Sequence, residues 1–106
     1  VLFRSDVKEE EAYRAAKKFL RENKDLPDAI FGINDETAIG TITALREEGI
    51  KVPEEISVIG CDNISISQFV QPPLTTIEIP KFEVGILAAN MILRRIRGMP
   101  TENIML

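Results

Sequence analysis

Pro27-Asp28-Ala29-Ile30-Phe31-Gly32-Ile33-Asn34-Asp35-Glu36-Thr37-Ala38-Ile39-Gly40 passes from a turn-forming pair through a short apolar run into a capped helix, and it decides the architecture. Ala29 to Ile33 is continuous and apolar, the pattern of a strand covered on both faces. Asn34 or Asp35 caps the helix that follows, because a short polar side chain there accepts from the free amides of the first turn. The buried positions of that helix read as Ala38, Ile39, Ile42 and Leu45, and Gly49 supplies the left-handed residue just past its end. The stretch is therefore one βα unit.

The same rhythm runs outward on both sides. Upstream, Glu10 to Glu22 carries Ala12, Ala15, Ala16 and Phe19 at helical spacing, widened by Leu20, behind an apolar triplet Val1-Leu2-Phe3. Downstream, Ile56 to Gly60 reads as the next buried strand and Leu74 to Ile79 as another extended, β-branched stretch beyond Pro72-Pro73. The last helix keeps Phe82, Gly85, Ile86, Ala89, Ile92, Leu93 and Ile96 on one stripe, with Pro80 at its start and Gly98 at its end. Arg94, Arg95 and Arg97 in its final turn complement the helix dipole and read as solvated rather than as a basic patch. Strands alternating with helices of this length imply an α/β, doubly wound, mostly parallel sheet.

Composition removes several classes of function. Cys61 is the sole cysteine and histidine is absent, so an intrachain disulfide and a Cys- or His-rich metal site are both excluded, along with the commonest general base. A net charge of −4 argues against this chain gripping a phosphate backbone, which takes clustered Lys and Arg. No apolar run approaches the roughly 20 residues needed to cross a bilayer, so no membrane association is expected, and no secretory signal pattern is visible. The expected location is the cytoplasm. The chain opens on Val rather than Met and closes on Ile104-Met105-Leu106; both ends read as cut inside strands, so a piece of a longer protein is expected.

In parallel α/β layers, ligands sit at the carboxyl ends of the strands. The positions to interrogate are therefore Ser5-Asp6-Val7, Asn34-Asp35 and Asp62-Asn63. Each has an ordinary structural reading: Asn34-Asp35 as a helix cap, Asp62 as the start of a turn. Taken together, a carboxamide that donates and accepts and a carboxylate that accepts suit the polar rim of a sugar or nucleoside. No nucleophile elbow, phosphate-binding loop, dinucleotide loop or metal-ligand cluster is present, so the expectation is a binding protein and not an enzyme, with no cofactor and no metal. The enzymatic-type alternative is a receiver phosphorylated on Asp62, for which only Asp6 and Asp35 are available as companion acids.

The segment from Pro27 to Gly40 resembles the LacI/GalR-type transcriptional repressors, and Ala44 to Gly60 (Ala-Leu-Arg-Glu-Glu-Gly-Ile-Lys-Val-Pro-Glu-Glu-Ile-Ser-Val-Ile-Gly) is similar to that family's next segment. Pro72-Pro73-Leu74-Thr75-Thr76-Ile77 matches a following hallmark, and Ser5-Asp6-Val7 with Ala12-Tyr13-Arg14-Ala15 resembles a Gly-Asp-aromatic followed by Gly-Tyr-Arg-Ala. Several linked motifs at consistent spacing thus cover nearly the whole chain.

The resemblance implies that residues 1–106 are a partial carboxy-terminal subdomain of an effector-binding core, a truncated flavodoxin-like lobe of a periplasmic-binding-protein-like fold. The amino-terminal subdomain and a DNA-binding helix-turn-helix are expected to lie outside it, so DNA is reached only through another segment. It also implies effector-binding roles for Asn34, Asp62 and Val7 and a dimer-interface role for Phe69 and Val70, with homodimerisation or higher self-association. Val7 stands where an aromatic side chain that stacks on ligand is common, and Cys61 where Phe or Tyr is usual; both departures point to a smaller or differently oriented effector. The effector class is a carbohydrate or nucleoside. The competing reading is a fragment of an extracytoplasmic sugar-binding transport receptor. In the flavodoxin-like strand order 2-1-3-4-5 the first strand is central, and the chain starts only at the second, so Val1 to Phe3 is expected to pair with a partner chain, to rearrange against Ala29 to Ile33, or to be poorly ordered.

Overall fold

In the computed structural model, which describes residues 8–104, the elements follow one another as α1 (Glu9–Glu22), β1 (Ala29–Phe31), α2 (Asp35–Glu47), β2 (Ser57–Cys61), a 3-10 segment (Ser65–Gln68), β3 (Thr75–Ile77) and α3 (Lys81–Ile96). The strands form one parallel sheet in the order β1-β2-β3. The α/β alternation read from sequence is therefore present, with β1 and β3 shorter than the runs that predicted them. Val1 to Phe3 and Val7 lie outside the described residues.

The register of the sheet sorts its side chains. Ile30 pairs with Val58, and Gly60 with Thr76, on one face; Phe31 pairs with Ile59, and Cys61 with Ile77, on the other. The first face lies under α2, whose Ala38, Ile39, Ile42 and Leu45 form the core with Ile56, Val58 and Leu74. Burying a side chain of this size contributes about 1.5–3 kcal/mol, so this cluster carries most of the fold's apolar stabilisation. Helix α1 stacks on α2 through Ala12, Ala16 and Phe19, all buried. Gly40 is required at that crossing, because a β-carbon there would collide with the Glu9 carbonyl.

The opposite face departs from the expectation of a sheet covered on both sides. Phe31 is 61% exposed and Ile77 51% exposed, and no described element covers them. Helix α3 forms where its caps place it, with Pro80 before its first residue and Gly98 at φ +71° beyond its last. Yet it buries none of its residues, and Phe82, Ile86, Ile92, Leu93 and Ile96 stay exposed. A helix of this length is about 24 Å long, and the 58 Å long axis of the molecule against 26 and 21 Å for the others reflects its projection from the body. Periodicity identified the side of α3 that is built for burial, but nothing described lies against it.

Candidate functional site at the strand tips

The carboxyl ends of β1 and β2 bring Asn34 and Asp62 to one edge of the sheet. Phe31 and Ile59 are register partners, and each tip residue lies three positions beyond its partner. Neighbouring parallel strands run about 4.8 Å apart, and both residues follow the carboxyl ends of adjacent strands.

Asn34 is the N-cap of α2. Its Oδ1 accepts the Thr37 amide at 2.9 Å, and the Thr37 hydroxyl accepts the Asn34 amide at 3.3 Å, which closes a reciprocal capping box. The capping reading of this position is therefore present, with the Asn34 side chain oriented by the helix it caps.

Asp62 is held in a less ordinary way. Its φ is +114° and that of Asn63 is +48°, two successive non-glycine residues in the region that side chains avoid. Such a conformation costs on the order of 1–3 kcal/mol and persists only when its surroundings over-determine it. They do so here: the Asp62 amide donates to the Ile77 carbonyl at 2.8 Å, the Lys81 ammonium donates to the Asp62 carbonyl, and the Asn63 amide donates to the Thr76 hydroxyl at 3.2 Å. Asp62 is thus a half-buried acid in a strained turn at a strand tip.

Sequence reasoning missed Asp35. Grouped with Asn34 as one possible cap, it instead turns inward and is fully buried. Its carboxylate accepts the Ile64 amide at 2.8 Å, the Ser67 hydroxyl at 2.6 Å and the Thr76 hydroxyl. Burial alone would raise its pKa, but hydrogen bonds from Ser67, Thr76 and Ile64, with the nearby Lys81 charge, outweigh that and hold it below the usual value. One signal pointed to it: a glycine inside a strand marks a close approach, and a β-carbon on Gly60 would run into the Asp35 carboxylate.

The remaining expected positions are less concentrated. Phe69, just past the 3-10 segment, is 71% exposed, whereas Val70 is half-buried against the core. Cys61 is a half-buried free thiol. Among the described residues, no group of three or more His, Cys, Asp or Glu is arranged to hold a metal ion, and no helix is long and apolar enough to cross a membrane. A hollow of about 400 Å³ between α1 and α2, lined by Glu9, Tyr13, Thr43 and Glu47, lies away from the strand tips. There the Glu47 carboxylate accepts the Tyr13 hydroxyl at 2.6 Å, and with Lys17 this links the two helices at their surface.

Comparison with known proteins places these features in a family context. The periplasmic binding protein-like domain model matches residues 1–105. The chain is 48% identical over 94 residues to the HTH-type transcriptional repressor PurR of Histophilus somni (strain 129Pt), an alignment that covers 89% of this chain and 28% of that protein. The chain thus spans a little over a quarter of the length of that relative. A LacI family transcriptional regulator from Arthrobacter sp. FB24, solved in complex with lactose, superposes with a TM-score of 0.81 at 34% identity, covering 93% of this chain and 37% of the other. A LacI family regulator from Enterococcus faecium with bound ribose gives 0.78 at 34% identity, covering 92% and 35%.

Proposed function

Since the chain belongs to the periplasmic binding protein-like domain family, as part of an effector-binding core of the LacI/GalR repressor type, we propose that it is the effector-sensing part of a bacterial DNA-binding transcriptional regulator. Its relatives are transcriptional regulators and not enzymes. The observation that supports the reading within this chain is that Asn34 and Asp62 follow the carboxyl ends of adjacent parallel strands, with Asp62 held at φ +114°.

The mechanism we infer is binding by directed hydrogen bonds. The Asp62 carboxylate accepts from a pair of hydroxyls on a carbohydrate or nucleoside, and Asn34 lines the neighbouring side. Val7 supplies an apolar contact where a stacking ring is common in the family. The lobe provides one wall of the site; the second wall, and the helix-turn-helix that touches DNA, belong to other segments of the regulator. Phe69, exposed just past the 3-10 segment that carries the exposed Ile66, suits the homodimer interface, and Val70 supports it from the core side. The cytoplasm follows from this role. The transport-receptor reading is the weaker one, because the curated relative is a repressor.

Calorimetric titration of the full-length protein with ribose, lactose and inosine tests the assignment. Asp62→Ala is expected to cost about tenfold in affinity or more, the loss of a charge-assisted hydrogen bond of roughly 1.5–3 kcal/mol. An unchanged affinity sinks the assignment.

A further inference from the structure

We propose that Asp35 is the positioning residue of the effector site, a buried carboxylate that clasps the loop after β2 and thereby presets Asp62. The inference rests on the effector-sensing reading above and adds a residue that touches no ligand in it.

Every donor that Asp35 receives lies on the segments framing Asp62. Ile64 is two residues beyond it, Ser67 sits on the 3-10 segment that the loop enters, and Thr76 is on β3. Thr76 does two jobs with one oxygen: its hydroxyl donates to Asp35 and accepts the Asn63 amide at 3.2 Å. The amides of both residues after Asp62 are therefore tied to one buried cluster, Asn63 through Thr76 and Ile64 directly. On the other side, the Asp62 amide is bound by Ile77 and its carbonyl by Lys81, the first residue of α3.

Without these ties the loop has little reason to keep two successive positive-φ residues. Residues in such regions relax unless neighbouring groups hold them, and here the ties on the two residues after Asp62 lead to a single side chain. That side chain is also the immediate neighbour of Asn34. Because Asn34 caps α2 and Asp35 is the first residue of the helix, one helix terminus sets the backbone of both ligand-facing tips. The arrangement needs a bare position at Gly60 and has it.

A buried aspartate can instead be purely structural, holding the fold with no bearing on ligand geometry. The two roles separate in a double-mutant cycle. Asp35→Ala strands three donors and endangers folding, so the clasp is better loosened from its donors with Thr76→Val and Ser67→Ala. Two readouts are taken on the full-length protein: amide hydrogen exchange at Asn63 and Ile64 without ligand, and calorimetric titration with ribose, lactose and inosine.

The expected result is exchange at Asn63 and Ile64 at least about tenfold faster in Thr76→Val, with Val58 in β2 unchanged, the mark of a local opening. Affinity should fall together with exchange protection, and Asp62→Ala should cost much less in the loosened background than in the wild type, because the acid is no longer preset. Equal costs of Asp62→Ala in both backgrounds, or unchanged exchange, overturn the positioning role. If exchange rises while no probe binds, or while Asp62→Ala never alters binding, the effector reading itself has failed and the role falls with it; the ligand-free arm tells the two failures apart.

Discussion

Replacing Asp62 with glycine should make the protein more stable while removing the ligand contact proposed for it. The two hydrogen bonds that tie the Asp62 backbone, from its amide to Ile77 and from Lys81 to its carbonyl, survive the change. The residue sits at φ +114°, where a β-carbon costs on the order of 1–3 kcal/mol and glycine costs almost nothing. Against this, glycine loosens the unfolded chain by about 0.4–1 kcal/mol. The net expectation is a gain of roughly 0.5–2 kcal/mol, which at a urea slope of about 1–3 kcal/mol per molar moves the midpoint up by about 0.2 to 2 M. Asp62→Ala is the control: it removes the same carboxylate but keeps the β-carbon and so the strain.

Urea denaturation of the wild type and both variants, with the sugar titration alongside, reads the two effects separately. Both variants lose affinity, and only the glycine variant gains stability. A glycine variant that is less stable than the wild type, or an alanine variant that gains as much, refutes the argument that the backbone at Asp62 is strained for function.

Two further outcomes follow from Asp35 and the glycine that admits it. The folded-state pKa of Asp35 lies below its unfolded value of about 3.9, so its contribution is fully present above that pH and is lost as pH falls through the lower folded value; Asp35→Asn should lower stability at neutral pH and flatten the denaturation midpoints as pH falls below about 4. An acid limb identical in the two proteins contradicts the assignment. Gly60→Ala should cost at least about 1–3 kcal/mol by overpacking against Asp35 and Leu74, whereas Gly85→Ala on α3, where a β-carbon meets nothing, should gain up to about 1 kcal/mol from helix propensity; thermal melts that rank the pair the other way rule out this packing.

Much of the architecture was legible because local rules and tertiary structure agree. Gly49 and Gly98 end their helices at positive φ, as glycine placement implied, and Asn34 caps α2 as its chemistry favours. The tips were found by a topological rule that needs only the order of strands and helices. What was not legible is what each apolar side packs against: Phe31 and Ile77 read as covered and are bare, and the stripe on α3 is real but meets nothing described. Periodicity reports which side chains suit burial, whereas coverage depends on which surfaces exist nearby. Asp35 escaped for a related reason, since in sequence a capping aspartate and a buried one look alike until the donors on Ile64, Ser67 and Thr76 arrive from 29, 32 and 41 positions away.

The dipeptide Asn34-Asp35 ties the two proposed ligand-facing tips to one helix terminus. A caps-only reading leaves the second residue idle, and a ligand-only reading leaves the first without support. In the structure the carboxamide is fixed by the helix amides and the carboxylate by donors from the neighbouring loop and strand, so the helix terminus joins the two tips into one rigid edge. Rigidity there lowers the entropy lost on binding, which favours affinity from a small number of polar contacts. It also localises the cost: the strain sits at Asp62 and Asn63, while part of what offsets it runs to the buried Asp35 carboxylate. A substitution in that deeper layer should therefore change ligand affinity through Asp62, and the glycine variant should show that the strained residue itself is kept for binding rather than for the fold.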